Sequence, residues 1–271
     1  MSKKTNTVIL SPAKDLRANI IDPSQAQDDS RVVQDDSRVV IYYDKLESTQ
    51  NTAKDLAHDG AAHGTAVVAN HQTAGRGRRG RSFYSPGGAG IYMSIIINPD
   101  KLGLNDPALI TIHTAVAVRD AIEMLTGKKP GIKWVNDLFL DNKKICGILV
   151  EATDGIMIVG IGINFSMPAN GFGDELSQIA GALYTGEAPA TSRQALTRQV
   201  QKNMLAPNPG ALAEYKSHMM MLGAWIIVKD PAGDYIARAM DINDKGHLIV
   251  QKDSGQIATL IAGDISIIPY R

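Results

Sequence analysis

The feature that most restricts the fold of this chain is a series of apolar segments, between residues 131 and 165, that are separated by short polar turns. The segments LFL, KICGILVEA and IMIVGIGINF are separated by Asp141-Asn142 and by Asp154-Gly155. Such pairs are typical of tight hairpin turns, because Asn, Asp and Gly tolerate the positive φ angles that these turns require. The sequence therefore predicts a succession of antiparallel strands here.

Helices and further strands are predicted on both sides of this region. Thr49 is the expected N-cap of a short helix that ends at Gly60, and Asp106-Pro107 opens a longer helix that stops at Gly127. TAVVAN and IYMSIII have the composition of buried strands. Two more helical stretches follow, near residues 192–205 and 210–221.

The two ends of the chain differ from its middle. The heptad QDDSRVV occurs twice in tandem within a polar leader, so we expect residues 1–38 to be a poorly ordered extension. A first strand is expected to begin at about Val39. The last fifty residues contain short strands between turn residues, which predicts a small separate β-barrel. We therefore predict a main domain over residues 39–221 and a C-terminal domain over residues 222–271.

The composition is that of an ordinary soluble protein. Apolar residues make up 44% of the chain, and 28 Lys and Arg balance 28 Asp and Glu. Any basic site must therefore be a local patch, which argues against general nucleic-acid binding. Cys146 is the only cysteine and lies in an apolar strand pattern, which favours a buried core residue. No signal peptide or long apolar run is seen, so we expect a cytoplasmic protein without a membrane partner.

Residues 75–82, GRGRRGRS, form a segment that we call the Arg/Gly loop. It loosely matches the GxGxxG pattern of dinucleotide-binding folds and a P-loop in which Arg81 replaces lysine. Both motifs need a helix immediately after the loop, because the helix N-terminus binds the phosphate. The segment that follows, FYSPGGAG, contains a proline and three glycines, which exclude that helix. Neither motif is therefore present.

The Arg/Gly loop is still suited to binding an anion. Arginine presents forked donors and keeps its proton, and glycine gives the loop the freedom to close over a phosphate or carboxylate. Two alternatives stay open at this point: a solvated basic loop without function, and an RNA-binding tract, although such tracts are usually longer and repeated.

A second polar cluster lies in GIKWVNDLFLDNKKICGILVE, residues 131–151. Lys133 ends a strand, and Asn136 and Asp137 follow in a tight turn, so a cation, an amide and a carboxylate surround one point. Asp137 could hold Mg²⁺ against nucleotide phosphates, although Asn-Asp is also ordinary turn chemistry.

Lys144 begins an otherwise apolar strand, and Gly147 leaves room beside it. An ammonium there could neutralise a substrate carboxylate, while Arg76, Arg78 and Arg81 neutralise phosphate. Repulsion between two anions would then be offset, which makes attack of a carboxylate on a phosphate feasible. The cluster thus predicts activation of a carboxylic acid by ATP.

GIGIN, residues 160–164, is a second segment in which glycines alternate with other residues. Its glycines are expected to allow the close approach of a bulky group and not to form a turn. The alternative is that they flatten a crowded sheet.

GRGRRGR, KWVNDL, KKICGILVE and GIGINF, in this order and spacing, resemble the four central motifs of biotin protein ligases. The resemblance runs from about Tyr42 to the C-terminus. It implies an α+β fold with a mixed β-sheet flanked by helices, followed by a Src-homology-3-like β-barrel. It also implies two half-reactions: biotin and MgATP give biotinoyl-5′-AMP and pyrophosphate, and a lysine of a biotin carboxyl carrier protein then attacks the acyl carbon.

The resemblance also assigns roles to residues by their position in the motifs. Biotin contacts are expected at Ser48, Thr49, Gln50, Gln72, Gly75, Arg76, Gly77, Arg78, Lys144 and Gly147. Nucleotide contacts are expected at Arg78, Arg81, Asn136 and Asn164, and a metal contact at Asp137. Catalytic roles are expected for Lys144, Arg78, Lys133 and Asp137.

The chain departs from the family pattern at two positions. Gln50 stands where asparagine is usual, which keeps an amide but moves it by one methylene relative to biotin. Val135 stands where proline is usual; valine suits a strand end, so we expect the turn to survive.

Two other functions remain to be distinguished from a biotin ligase without a DNA-binding domain. A lipoate-type ligase shares the acyl-adenylate chemistry, but the Arg/Gly loop and the C-terminal barrel argue against it. A non-catalytic module could use the same arginines to bind RNA or another anion. No pair of helices is predicted before the main domain, so we expect no DNA binding. The sequence leaves open whether the protein is a monomer or a homodimer.

Overall fold

The computed structural model describes residues 31–35 and 38–268, and its main feature is an eight-stranded mixed sheet with the strand order β1-β2-β3-β4-β8-β7-β6-β5. The strands are β1 Arg31–Asp35, β2 Arg38–Leu46, β3 Ala66–Gln72, β4 Gly90–Ile97, β5 Gly131–Lys133, β6 Asp137–Leu140, β7 Lys143–Thr153 and β8 Ile156–Asn164. Strands β2 and β3 are parallel, and the other neighbouring pairs are antiparallel. The predicted α+β class with a mixed sheet is confirmed.

Both predicted hairpin turns are present. Asp141 and Asn142 join β6 to β7 with φ angles of 50° and 60°, and Asp154 and Gly155 join β7 to β8 with φ angles of 46° and 78°. Positive φ at both central residues gives the turn the twist that antiparallel strands need. The turn residues therefore set the strand register on which the site depends.

Helices cover both faces of the sheet. They are α1 Thr49–His58, α2 Pro99–Leu102, α3 Pro107–Thr126, α4 Gly173–Ser177, α5 Arg193–Met204 and α6 Ala211–Ser217. On one face, α1 buries Ala53 and Leu56 against Ile96 and Ile158 of the central strands. On the other face, α3 and α5 pack over a larger core, and α6 packs on α3. None of the helices among the described residues is long and apolar enough to span a membrane.

The start of α1 differs from the prediction by one residue. Ser48, not Thr49, is the N-cap: its backbone is extended and its Oγ accepts a hydrogen bond from the Gln50 N–H at 3.3 Å. Thr49 is the first helical residue, which turns its side chain toward the sheet. The predicted cap at the longer helix is confirmed, since Asp106 Oδ1 accepts from the Ala108 N–H at 2.8 Å.

Cys146 is a buried free cysteine, as predicted. Burial raises the pKa of its thiol, so the sulfur stays protonated and behaves as a small apolar group.

The strand at Val39 is confirmed as part of β2, and a further strand precedes it. The described part of the predicted extension, Arg31–Asp35, pairs with β2, with Val33 opposite Val40. Among the described residues this pair alone joins the two heptad copies, since Arg31 and Val32 pair with Tyr42 and Ile41, beyond the second copy. The poorly ordered extension that we predict covers residues 1–38; residues 31–35 and 38 lie in strands, and residues 1–30, 36 and 37 lie outside the described residues.

A separate antiparallel sheet, of five strands in the order β12-β11-β10-β9-β13, lies at the C-terminus. Its strands are β9 Trp225–Lys229, β10 Tyr235–Ile242, β11 Leu248–Lys252, β12 Ile257–Leu260 and β13 Asp264–Ile267. The buried Trp134, just after β5, donates its indole N–H to the Gly246 carbonyl at 2.9 Å. This bond connects the turn between β5 and β6 to the C-terminal sheet.

The same turn is supported from the other side by α6. The hydroxyl of Tyr215, a fully buried residue, donates to the Val135 carbonyl at 3.0 Å. Lys133 and Asp137 pair across the turn, so the turn survives with valine at position 135, as expected.

We predict that Tyr215→Phe lowers the free energy of unfolding by about 1–2 kcal/mol, because it leaves the buried Val135 carbonyl without a donor. Urea denaturation followed by circular dichroism measures this loss. Tyr84→Phe is the matched control, since the Tyr84 side chain is exposed and should show almost no change. Equal stability of both variants would contradict the role of the hydroxyl in supporting the turn.

Candidate active site

One pocket lies on the face of the large sheet that α1 also covers, between the start of α1 and the Arg/Gly loop. Its floor is made by β4, β7 and β8. The predicted site residues that line it are Ser48, Thr49, Gln50, Gln72, Arg76, Gly77, Arg78, Asn136, Lys144 and Gly147. Residues that lie a hundred positions apart in the chain are thus brought to one cavity.

Strand register produces this grouping. Tyr92 of β4 pairs with Gly162 of β8, Gly162 with Gly147 of β7, Gly147 with Asp137 of β6, and Asp137 with Lys133 of β5. Residues at paired positions present their side chains to the same face of a sheet. A single row across five strands therefore carries a tyrosine, two glycines, a carboxylate and an ammonium.

The end of the pocket near α1 is a continuous hydrogen-bond chain. Ser94 Oγ donates to Gln50 Oε1 at 3.0 Å and lies 2.9 Å from Thr49 Oγ1. The Thr49 hydroxyl also donates to Gln72 Oε1 at 3.1 Å. The side-chain oxygen of Gln72, Oε1, accepts a hydrogen bond from the Thr49 backbone N–H at 2.8 Å, and the side-chain Nε2 of Gln72 donates to Ser85 Oγ at 2.9 Å. Linked groups of this kind fix each side chain in one orientation.

Ser94 was not predicted, although the sequence contained a signal. It is a single polar residue in the apolar strand IYMSIII, and it is fully buried. A buried hydroxyl needs a partner, so a polar residue inside such a strand indicates a polar network above it.

The Gln50 amide is engaged within the protein. Its Nε2 donates to the Ile158 carbonyl at 3.0 Å, while its Oε1 accepts from Ser94. Its Oε1 also lies 2.6 Å from the point that a Cβ on Gly160 would occupy, so Gly160 makes room for the longer side chain. In this structure Gln50 orders the pocket wall, and its predicted contact with biotin stays untested.

The glycines of GIGIN allow close approach, as predicted, and the approaching group is Phe83. A Cβ on Gly162 would lie 2.6 Å from ring carbons of Phe83, and one on Gly147 would lie 3.3 Å from the same ring and 3.1 Å from Lys144 Nζ. Phe83 lines the pocket and follows the Arg/Gly loop directly. Sequence reasoning missed this aromatic contact because it joins segments far apart in the chain.

Lys144 and Asp137 form the charged part of the site. Lys144 Nζ lies 2.7 Å from Asp137 Oδ1, and both side chains are mostly buried. Lys133 lies beside them, with its Nζ 5.3 Å above the Phe139 ring. Burial lowers the pKa of the Lys133 ammonium, and the charge of Asp137 partly offsets this effect. Two cations thus surround one carboxylate, which leaves a net positive charge for an anion.

The Arg/Gly loop is folded back on itself. Arg76 and Ser82 form an antiparallel bridge, and the Gly77 N–H donates to the Arg81 carbonyl at 2.7 Å. Arg78 faces inward, where its Nη1 donates to Asn136 Oδ1 at 2.8 Å. Arg76 donates to Asn51 Oδ1 and to Glu151 Oε1, each at 2.9 Å.

Five predicted residues do not line the pocket: Gly75, Arg81, Lys133, Asp137 and Asn164. A Cβ on Gly75 would lie 2.4 Å from the Phe83 carbonyl, so this glycine allows the loop to close. Arg81 contacts Asp264 of the C-terminal sheet. Asn164 is buried, and its Nδ2 donates to the Gly181 carbonyl at 2.8 Å. Lys133 and Asp137 form the layer immediately behind Lys144.

The described residues contain no group of three or more His, Cys, Asp or Glu side chains that could hold a metal ion. The carboxylate next to Lys144 is that of Asp137, which lies behind the pocket lining with Lys133 beside it. This arrangement is compatible with Mg²⁺ that arrives bound to phosphates, because Mg²⁺ is usually held by one or two carboxylates plus substrate oxygens.

Comparison with known proteins agrees with the motifs and the fold. Residues 42–167 match the model of the biotin/lipoate A/B protein ligase family, and residues 222–267 match the biotin protein ligase C-terminal domain.

Individual proteins agree as well. The chain is 34% identical over 241 residues to the bifunctional ligase/repressor BirA of Bacillus subtilis, covering 84% of this chain and 74% of that protein. It is 27% identical to the biotin--[acetyl-CoA-carboxylase] ligase of Mycobacterium tuberculosis, covering 82% and 87%. Among solved structures, the biotin protein ligase from Aquifex aeolicus in complex with biotin and ATP superimposes with a TM-score of 0.72 at 27% identity, covering 85% of this chain and 99% of that one.

Motifs, fold, pocket and relatives agree, and the chain belongs to the biotin protein ligases.

Proposed function

We propose that this protein uses ATP to join biotin to a lysine of a biotin carboxyl carrier protein. Family membership supports the activity, since relatives are named biotin--[acetyl-CoA-carboxylase] ligases and solved neighbours hold biotin, ATP or biotinyl-5-AMP. The observation that carries the proposal is the pocket itself. A polar network at one end and Lys144 with Arg78 at the other match a ligand with a ureido head and a carboxylate tail.

In the first half-reaction, a carboxylate oxygen of biotin attacks the α-phosphorus of ATP, and the bond from that phosphorus to pyrophosphate breaks. Lys144 is the residue that we place at the attacking carboxylate, because its ammonium has three donors and can serve this oxygen while it keeps Asp137. Arg78, which Asn136 orients, is placed at the developing charge on the phosphate. Both groups are held before substrate arrives, so little reorganisation is needed.

At the other end of the pocket, we propose that Ser48, Thr49 and Gln72 contact the ureido group. Their hydroxyl and amide groups offer both donors and acceptors, as the ureido N–H and C=O groups require. Magnesium enters with ATP as part of the substrate, and Asp137 is the carboxylate available to contact it. Lys133, behind Asp137, adds positive charge toward the phosphates.

In the second half-reaction, the amine of the carrier lysine attacks the acyl carbon and the bond to the AMP oxygen breaks. AMP leaves, and the amine proton passes to solvent. Until the carrier arrives, the mixed anhydride must be kept from water. We assign this task to the Arg/Gly loop, which carries Arg76, Gly77 and Arg78 and lies over the pocket.

Several finer assignments remain predictions. We propose that residues 39–221 form the catalytic domain and residues 222–271 the C-terminal domain, whose five-stranded sheet we interpret as a Src-homology-3-like barrel. The contacts of Arg81 and Asn164 with nucleotide, the cytoplasmic location, the absence of DNA binding and the choice between monomer and homodimer also stay predictions.

Substrate comparison tests the function. The protein is incubated with ATP and either biotin, lipoate or no acid, and pyrophosphate release is followed. We expect a burst of pyrophosphate release with biotin and ATP, and none with lipoate or without an acid. A lipoate-type ligase would respond to lipoate instead, and an RNA-binding module would respond to neither acid. Release that does not depend on biotin would contradict the proposal. The addition of a biotin carboxyl carrier domain should then convert the burst into continuous turnover.

Replacement of the lysine at the carboxylate tests the charge assignment. We predict that Lys144→Ala slows adenylate formation by about 100-fold, since removal of one charge-stabilising donor typically has this effect. Rapid-quench measurement of biotinoyl-5′-AMP in a single turnover gives the rate. Lys252→Ala, at the end of β11 with its ammonium over the Tyr235 ring, is the control and should react normally. Normal adenylation by Lys144→Ala would show that the assignment is wrong.

The glycine floor gives a prediction for binding. Gly162→Ala places a methyl group 2.6 Å from the Phe83 ring, so the ring must move and the pocket changes shape. We expect biotin to bind about tenfold more weakly, the effect of overpacking by one methyl group. Titration calorimetry measures the affinity. Gly186→Ala is the control, because its added methyl group meets no atom within 4 Å. Unchanged affinity in Gly162→Ala would contradict the contact.

A further inference from the structure

The C-terminal sheet contacts the Arg/Gly loop through Asp264, the first residue of β13. Its Oδ2 accepts a hydrogen bond from Arg81 Nη2 and lies 3.6 Å from Arg79 Nη1. Asp264 itself pairs with Lys229 of β9, so its backbone belongs to a regular sheet. A fixed carboxylate thus holds two neighbouring cations of an otherwise glycine-rich loop.

The loop needs such support because its backbone is strained at the same place. Arg79 has φ 56° and ψ 38°, the left-handed conformation that is unfavourable for a residue with a Cβ. Strain of this kind persists only where the surroundings favour it. Arg79 is one of the two arginines that face Asp264, so the ion pair acts directly on the strained residue.

Arg78 and Arg79, which are adjacent in the loop, also repel each other. The positive charge of Arg79 lowers the pKa of Arg78, although burial of Arg78 is the larger cause. Asp264 draws Arg79 and Arg81 to the outer side of the loop, while Arg78 points inward to Asn136 and lines the pocket. The direction of Arg78 therefore depends on where its neighbours are held.

We propose that Asp264 is a positioning residue for the ligase reaction: by holding Arg79 and Arg81 outward, it keeps Arg78 over the pocket and sets how long the acyl-adenylate is retained. Asp264 lies outside the pocket lining, and its contacts are with the loop, although its charge also raises the pKa of Lys133. The predicted effect of Asp264 on the adenylate rests on the proposed function. Its predicted effect on the ligand-free loop does not.

The first experiment uses the protein without ligands. Asp264→Asn keeps the side-chain shape and removes its charge. The loop contains four arginines, so trypsin cleavage after them, identified by fragment mass, reports on loop order. We expect Asp264→Asn to be cleaved in the loop about 3- to 10-fold faster, the effect expected from loss of partly exposed ion pairs. Asp234→Asn is the control, since Asp234 pairs with Lys229 within the C-terminal sheet; it should be cleaved at the wild-type rate.

The second experiment measures escape of the adenylate. Each protein forms labelled biotinoyl-5′-AMP, and its dissociation rate is followed after excess unlabelled biotin and ATP are added. We expect Asp264→Asn to release it about 3- to 10-fold faster. Arg79→Gln should release it faster as well, and the double variant should be no faster than the quicker single variant, because both changes break the same contact.

The outcomes are distinct. Wild-type cleavage and dissociation rates in Asp264→Asn would overturn the proposal, and so would fully additive effects of Asp264→Asn and Arg79→Gln. A different result separates the two proposals. If Asp264→Asn is cleaved faster in the loop but even the wild type forms no adenylate, the proposed function is overturned and the positioning of the free loop is supported.

Discussion

The antiparallel pairing of β4, β8, β7 and β6 is the constraint on which the site depends. This register puts Tyr92, Gly162, Gly147 and Asp137 in one row. A slip by one residue would send every side chain of the slipped strand to the opposite face. The two glycines would no longer lie under Phe83, and Lys144 would lose Asp137. The buried apolar side chains of these strands, together with the positive-φ turns, hold the register.

Charge is arranged before any substrate arrives. Arg76 is held by Glu151, Arg78 by Asn136, and Arg79 and Arg81 by Asp264. The Arg/Gly loop is therefore ordered by internal partners, most of which are partly exposed and individually weak. Weak contacts are compatible with the role that we propose for this loop, which is to close over the adenylate. The balanced net charge of the chain agrees with this local pairing.

Much of the fold could be predicted from the sequence because local signals determine it. The turn residues Asp141-Asn142 and Asp154-Gly155 fixed two hairpins, and the Lys133 to Asp137 turn brought a cation and a carboxylate together. The contacts that were missed are those between distant segments. Ser94 beneath Thr49, Phe83 over Gly162 and Asp264 beside the Arg/Gly loop join residues that no local pattern relates. The Gln50 amide bonds to the sheet in this structure, since a buried amide takes the nearest partners, and its contact with biotin stays a prediction.

The central claim is that a carboxylate oxygen of the acid becomes bonded to the phosphorus of ATP within this pocket. Biotin labelled with ¹⁸O in both carboxylate oxygens tests it most directly, with ATP and a carrier domain present and the products analysed by mass spectrometry. The account predicts one ¹⁸O in each released AMP and one in each new amide, because the bridging oxygen leaves with AMP when the lysine attacks the acyl carbon. AMP without ¹⁸O would contradict the acyl-adenylate mechanism.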